Sequence, residues 1–192
     1  MGRVADVFFL TVLWAVCCLP VVTVGASTSA LYYVSLKMAK NREGYLGKSF
    51  LKAFKDNFAQ STAVWLIMLA AGGFLGADLY FFYHMESRAG VFAFWLFLVF
   101  TVFWLFVAVL VFPLEARLDT KVGNLFFMAF MVCIKNFSWV LLMAVTAVCV
   151  LAVGVFVFWP VLLLGAGTVA YVHSLILVWM VFPKYGWNGE ET

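Results

Sequence analysis

The chain has 192 residues, 67% of them apolar and 11% charged, with a mean hydropathy of +1.09. Soluble domains are about 45–50% apolar and about 25% charged. Twelve basic and nine acidic residues cannot give this much hydrocarbon a water-compatible surface, so the composition excludes a water-soluble domain. It predicts an all-α polytopic membrane protein, a single transmembrane helical domain over residues 1–192.

The N-terminal stretch 7–36 carries no charge. As one helix it would be about 45 Å long, against a hydrocarbon core of about 30 Å. Two arrangements are open: one tilted, kinked span preceded by an interfacial stretch, or two short helices in a hairpin at Pro20. Arg3, the apolar run and the small residues Gly25–Ala30 superficially resemble a secretory signal. A signal's apolar core is about 7–15 residues. This run is longer and continues through Leu31, Tyr32, Tyr33 and Val34, so it is expected to be retained.

Lys37, Lys40, Arg42, Lys48, Lys52 and Lys55 then crowd into one segment, the mark of a cytoplasmic loop facing anionic lipid. The segment is short and bounded by membrane spans, which argues against nucleic acid as a partner. Within it, residues 46–58 are predicted to form an amphipathic helix. Leu46, Phe50, Phe54 and Phe58 recur every four residues as an apolar stripe, while Lys48, Lys52 and Lys55 fall on another face. This is the candidate lipid- or partner-contacting element, the stripe being suited to helix-in-groove docking.

Three further charge-free gaps locate the remaining spans: 57–77, 89–114 and 136–183. The first two predict helices near 60–83 and 91–113, separated by a polar turn at His84–Arg88. The third is too long for one pass and fits two, breaking at Trp159-Pro160, where proline cannot donate to the helix ladder. The total is six spans, or five if residues 7–36 cross once.

An internal repeat organises these elements. Gly47-x-x-Phe50-x-x-Ala53-Phe54, followed by Asn57-Phe58, recurs as Gly123-x-x-Phe126-x-x-Ala129-Phe130, followed by Asn136-Phe137. The two units close at Val111-Phe112-Pro113 and Val181-Phe182-Pro183. Likewise Pro20-x4-Gly25-Ala26-x-Thr28-x-Ala30 matches Pro160-x4-Gly165-Ala166-x-Thr168-x-Ala170. All four prolines fall into these matched pairs. The chain therefore reads as an N-terminal helix or hairpin (1–40) and two repeats (45–114 and 121–184). Pro20–Gly25 and Pro160–Gly165 are expected to be equivalent structural turns near one membrane face. Lysine and arginine place the 37–60 loop in the cytoplasm and Arg88 outside; six spans put both termini inside, whereas five move Arg3 outward.

Chemistry-bearing residues are few. Asp6, Asp78 and His173 are the ionisable groups that fall at membrane depth, with Asp78 expected to pair with Arg88 across the outer turn. His173, near Thr168, Tyr171 and Ser174, is expected to hydrogen-bond a neighbouring helix. Gly72-x-x-x-Gly76 reads as close helix packing. Cys17, Cys18, Cys133 and Cys149 lie in apolar runs without metal-ligand spacing and read as small hydrophobes. No paired carboxylates, Ser-His-Asp set or phosphate loop is seen, so no enzyme, cofactor or metal is expected. The buried carboxylates that ion-coupled transport usually needs are also not apparent.

Over Leu19–Val34, then Leu36-Lys37-Met38, Glu43-Gly44-Tyr45, Lys48-Ser49-Phe50, Phe54-Lys55 and Asn57-Phe58, the chain resembles the YesL family of Gram-positive bacterial membrane proteins. The likeness is sharp over roughly residues 5–70 and hydropathic afterwards. Members are small integral proteins of uncharacterised activity, often encoded beside carbohydrate ABC importers. The resemblance implies a multi-pass cell-membrane protein linked to sugar or oligosaccharide uptake, and supplies no catalytic residue. The expected function is a non-catalytic accessory, stabilising or regulatory subunit that contacts the permease or ATPase of such an importer. The alternative is a small secondary transporter or channel-like permease.

Overall fold

The computed structural model describes residues 3–40, 45–85, 87–118, 120–156 and 160–187. Trp159, Arg42, Glu43 and Gly44, which entered the reading above, lie outside them. Among the described residues every regular element is helical. The main helices are α1 (Arg3–Cys17), α2 (Val24–Ala39), α3 (Leu46–Asp56), α4 (Phe58–Tyr83), α5 (Arg88–Glu115), α6 (Val122–Lys135), α7 (Phe137–Phe156) and α8 (Pro160–Ile176). A π-helical stretch, Leu177–Val181, and a 3-10 turn, Phe182–Tyr185, extend α8.

Four segments are long and apolar enough to cross a membrane: Phe58–Tyr83, Arg88–Glu115, Phe137–Gly154 and Gly165–Tyr185. Their large side chains, among them Phe74, Phe81, Phe92, Trp95 and Phe100, are mostly turned outward. In water that surface would be untenable, whereas in lipid it is the solvent-facing side. The chain is thus a helical membrane protein whose apolar helices meet the bilayer.

The N-terminal stretch breaks at Pro20, as the hairpin reading expects. Pro20 is extended at φ −79°, ψ 123° and the chain then makes a 3-10 turn at Val21–Thr23. The Thr23 hydroxyl lies 2.6 Å from Cys17 O and 2.7 Å from Pro20 O, supplying a donor where α1 has lost its own. The two helices then run back along one another: Trp14 Nε1 donates to Thr28 Oγ1 at 3.2 Å, and Ser27 Oγ to Trp14 O at 3.0 Å.

With 15 and 16 residues, α1 and α2 fall short of the about 20 residues a full crossing takes. The depth of their turn says the same. Trp65 Nε1 donates to the Val21 carbonyl at 3.0 Å, and Trp65 lies only about 10 Å along α4 from Phe58, at about 1.5 Å per residue. The start of α8, by contrast, follows the whole of α7. The two proline-glycine segments are both helix boundaries, Pro20 preceding the turn before α2 and Pro160 opening α8. The repeat of residues is real in sequence, yet the first hairpin lacks the length to carry its turn across.

α2 is the centre of the bundle, packed by α1, α3, α4, α5 and α8. Its buried face is built of small residues, Gly25, Ala26, Ser27, Ser29 and Ala30, which lets neighbouring backbones come close. A Cβ on Gly25 would stand 2.5 Å from Ser61 O and 2.6 Å from Trp65 Cβ. Gly165 meets Val150 of α7 in the same way. Of the Gly72–Gly76 pair, only Gly72 is a packing contact, with the Trp104 ring against it, while Gly76 faces open space.

Some matched positions of the two longer repeats have similar settings, while others, such as buried Phe50 and half-buried Phe126, do not. Asn57 ends α3 and Asn136 ends α6, each joining an amphipathic helix to a long one. The matched Ala53 and Ala129 are both buried, and so are Val111-Phe112 and Val181-Phe182. Around Asn136 the stretch that follows α8, Lys184–Trp187, is tied down. Asn136 Nδ2 donates to Tyr185 Oη and its Oδ1 accepts from Lys184 Nζ, both at 2.9 Å, while Arg117 donates to Trp187 O at 2.9 Å. At the far end, Ser87 Oγ caps α5 by accepting from Gly90 N at 3.0 Å.

Candidate functional site

The amphipathic helix α3 forms over Leu46–Asp56 as its periodicity predicts. Its stripe does not face outward. Phe50 is fully buried, Phe54 is half-buried and only Phe58, at the start of α4, is 39% exposed. The rings run on continuously, Phe50 to Phe54 at 6.4 Å and Phe54 to Phe58 at 5.5 Å between centroids. α3 packs on α2, so the stripe is internal and Phe50 is not available to a partner. An apolar stripe beside a small-residue helix gains more by covering it than by lying on lipid. Lys48, Lys52 and Lys55 do face out, Lys48 with its Nζ 5.0 Å from the centroid of the Tyr45 ring.

A groove of about 550 Å³ opens between α5 and α7, with α2 as its floor. Its walls are apolar, from Val102, Trp104, Leu105 and Phe106 on one side to Leu141, Val145 and Val148 on the other. Cys149, exposed, lines it too, and Thr28 and Tyr32 supply its polar floor. Because both walls belong to segments long enough to span the membrane, the groove faces hydrocarbon.

Behind that floor lies the first intramembrane polar cluster. His173 is buried between α2 and α7, its Nδ1 3.1 Å from Tyr32 Oη and its Nε2 2.9 Å from Thr146 Oγ1. His173 thus bonds to neighbouring helices, as expected, through partners on α2 and α7. Asp78 does not gain the expected partner, since its Oδ2 is buried without a hydrogen bond.

The second cluster was not anticipated. Glu115, the last residue of α5, is 4% exposed, and Ser29 of α2 and Ser61 of α4 beside it are fully buried. Neither carboxylate oxygen and neither serine hydroxyl has a hydrogen-bond partner of normal geometry. In sequence Glu115 merely closes the charge-free gap 89–114, which makes it look like a residue at the membrane boundary. A buried carboxyl is present, correcting the expectation that none would be.

A family model described as "Protein of unknown function, DUF624" matches residues 7–79, from α1 through most of α4. The chain is thus similar to that family over the hairpin, the basic segment and the first long helix, including Ser29 and Ser61 but not Glu115. No curated protein and no solved structure matches the chain.

Proposed function

We propose that this chain is a non-catalytic subunit of the cell membrane that assembles with, stabilises or regulates a carbohydrate or oligosaccharide ABC importer. The YesL resemblance supports the link to sugar uptake, and the matched stretch 7–79 covers the residues that carry it. The observation that carries the docking role is the groove between α5 and α7. Its apolar walls can receive a hydrophobic helix of a permease, packed over Thr28 and Tyr32 at its floor. The exposed lysines of α3 hold the basic face on anionic headgroups, about 1 kcal/mol each. In this reading both termini and residues 37–60 are cytoplasmic, and α1–α2 enters and leaves through that face. This keeps the sidedness of the six-pass scheme with four full crossings.

The test is copurification in mild detergent of the tagged full chain with the co-expressed permease subunits of a carbohydrate importer. Wild type retains the permease, and Ala147→Trp, which fills the groove, loses it. If wild type retains no permease the accessory role fails, and if the filled groove retains it the docking site is elsewhere. A small secondary transporter is the second reading, favoured by one observation, the buried carboxyl of Glu115. Flux in proteoliposomes holding only this protein is its test.

A further inference from the structure

The junction of Ser29, Ser61 and Glu115 sets hydroxyls without a hydrogen-bond partner, as those of Thr62, Thr120 and Ser174 also are, beside a buried carboxyl. Thr11, Thr28 and Thr101 each turn their hydroxyl back onto the carbonyl four residues earlier, Val7, Val24 and Phe97. Ser29 and Ser61 do not, although Gly25 and Asn57 carbonyls occupy the same relative positions. Their hydroxyls are left for the carboxyl between them. Three helices thus contribute four buried oxygens that, among the described residues, have no hydrogen-bond partner, basic or otherwise. An ionised carboxylate enclosed in this way is strongly disfavoured, whereas a protonated one can donate to one serine and accept from the other.

We propose that Glu115 is a proton-binding site that holds α2 against α4 and α5, and that loss of its proton loosens this junction. Proton binding to the packed form stabilises it, so packing is favoured in acid and is lost as pH rises. The other charged or titratable groups close by come from the basic end. α2 presents Tyr33, Lys37 and Lys40, which line a small pocket of about 70 Å³ with Ala116 and Arg117. Lys37 lies over the Tyr33 ring at 4.5 Å, and Arg117 is engaged with the Trp187 carbonyl. α4 brings Ser61, with Gln60 turned to the Thr120 carbonyl. Tyr32, further along α2, is committed to His173. The site stands whether or not the chain docks on an importer or carries a substrate.

The test uses the full chain in lipid nanodiscs, in an Asp78→Asn background that removes the half-buried carboxyl of α4. Infrared spectra at neutral pH are expected to show the C=O stretch of a protonated carboxyl. Glu115→Gln should abolish that band, and Ser61→Ala should move it to higher frequency by removing a hydrogen bond. Spin labels at Val22 and Ile67, on a cysteine-free chain, then report the hairpin against α4. Their distance distribution should broaden in alkaline buffer for wild type and stay narrow for Glu115→Gln. Absence of the band at neutral pH would overturn the proposal, as would identical pH responses of wild type and Glu115→Gln. A narrowing specific to sodium over potassium would also overturn it, by making the ligand a metal cation. Ser61→Ala keeps the spectroscopic test decisive if the glutamine variant does not assemble.

Discussion

Tyr32 and His173 meet 141 residues apart in sequence, through a 3.1 Å contact that fixes the state of the imidazole. The Thr146 hydroxyl has one proton and places it on the Met143 carbonyl at 2.8 Å. It must therefore accept from His173 Nε2–H, which leaves Nδ1 to accept from the Tyr32 O–H. The chain of donors Tyr32, His173, Thr146 is complete with a neutral ring. Tyr32→Phe is expected to cost about 1 kcal/mol, the usual scale for such bonds within membranes. His173→Phe should cost more, because it strands the Tyr32 hydroxyl. The double variant should then be more stable than His173→Phe alone. Unfolding titrations in mixed micelles measure all three, and simple additivity would refute the coupling.

The approach of α2 to α4 depends on the absence of a side chain at position 25. The carbonyl of Ser61 is backbone and cannot swing aside. Gly25→Val is therefore expected to prevent correct packing of the hairpin, seen as loss of a monodisperse peak in size-exclusion chromatography. Gly76→Ala, at a glycine that meets nothing within 4 Å, should stay within about 0.5 kcal/mol of wild type.

Burial of the α3 stripe separates two roles that share eleven residues. Phe50→Ala opens a cavity in the core and is expected to cost about 3–5 kcal/mol. Lys48, Lys52 and Lys55 changed together to Gln should leave stability nearly unchanged. Their replacement should instead lower the enrichment of anionic lipid around the purified protein, read by mass spectrometry of bound lipids. If Phe50→Ala is as stable as wild type, the stripe does not seat on α2.

Breaks in the helices were legible because they rest on local chemistry: Pro20 lacks a donor, and the Asn57 and Asn136 positions end one amphipathic pattern before an apolar run begins. Residues 58–83 and 88–115 were legible because charge is excluded from hydrocarbon. What Phe50 faces was not, since an apolar stripe has the same period whether it lies on lipid or on another helix. Glu115 escaped notice because hydropathy measures distance from the nearest charge along the chain, and burial depends on what the other helices bring. His173 was legible as a polar residue seeking a partner, but Tyr32 and Thr146 belong to helices that only the fold sets beside it.

Leu19 gives the sharpest test of how deeply the first hairpin enters. It sits at the tip of the turn, 81% exposed, and Val21 and Val22 beside it are exposed too. An apolar tip of this kind is stable only in lipid. If α1–α2 crossed fully, a cysteine at position 19 would lie at the outer surface with Ser87. If the hairpin turns at the level of Trp65, that position stays within the hydrocarbon nearer the basic face. In a chain with its native cysteines replaced, a cysteine at Ser87 should react with an impermeant maleimide in intact cells. One at Ser49 should react only after the membrane is opened, as the lysine and arginine distribution requires. Leu19→Cys should react in neither condition. A fluorophore on it should be quenched by nitroxides set within the acyl chains rather than by those at the headgroups. Labelling of position 19 in intact cells would restore the six-crossing arrangement, and labelling of position 49 there would invert the sidedness altogether.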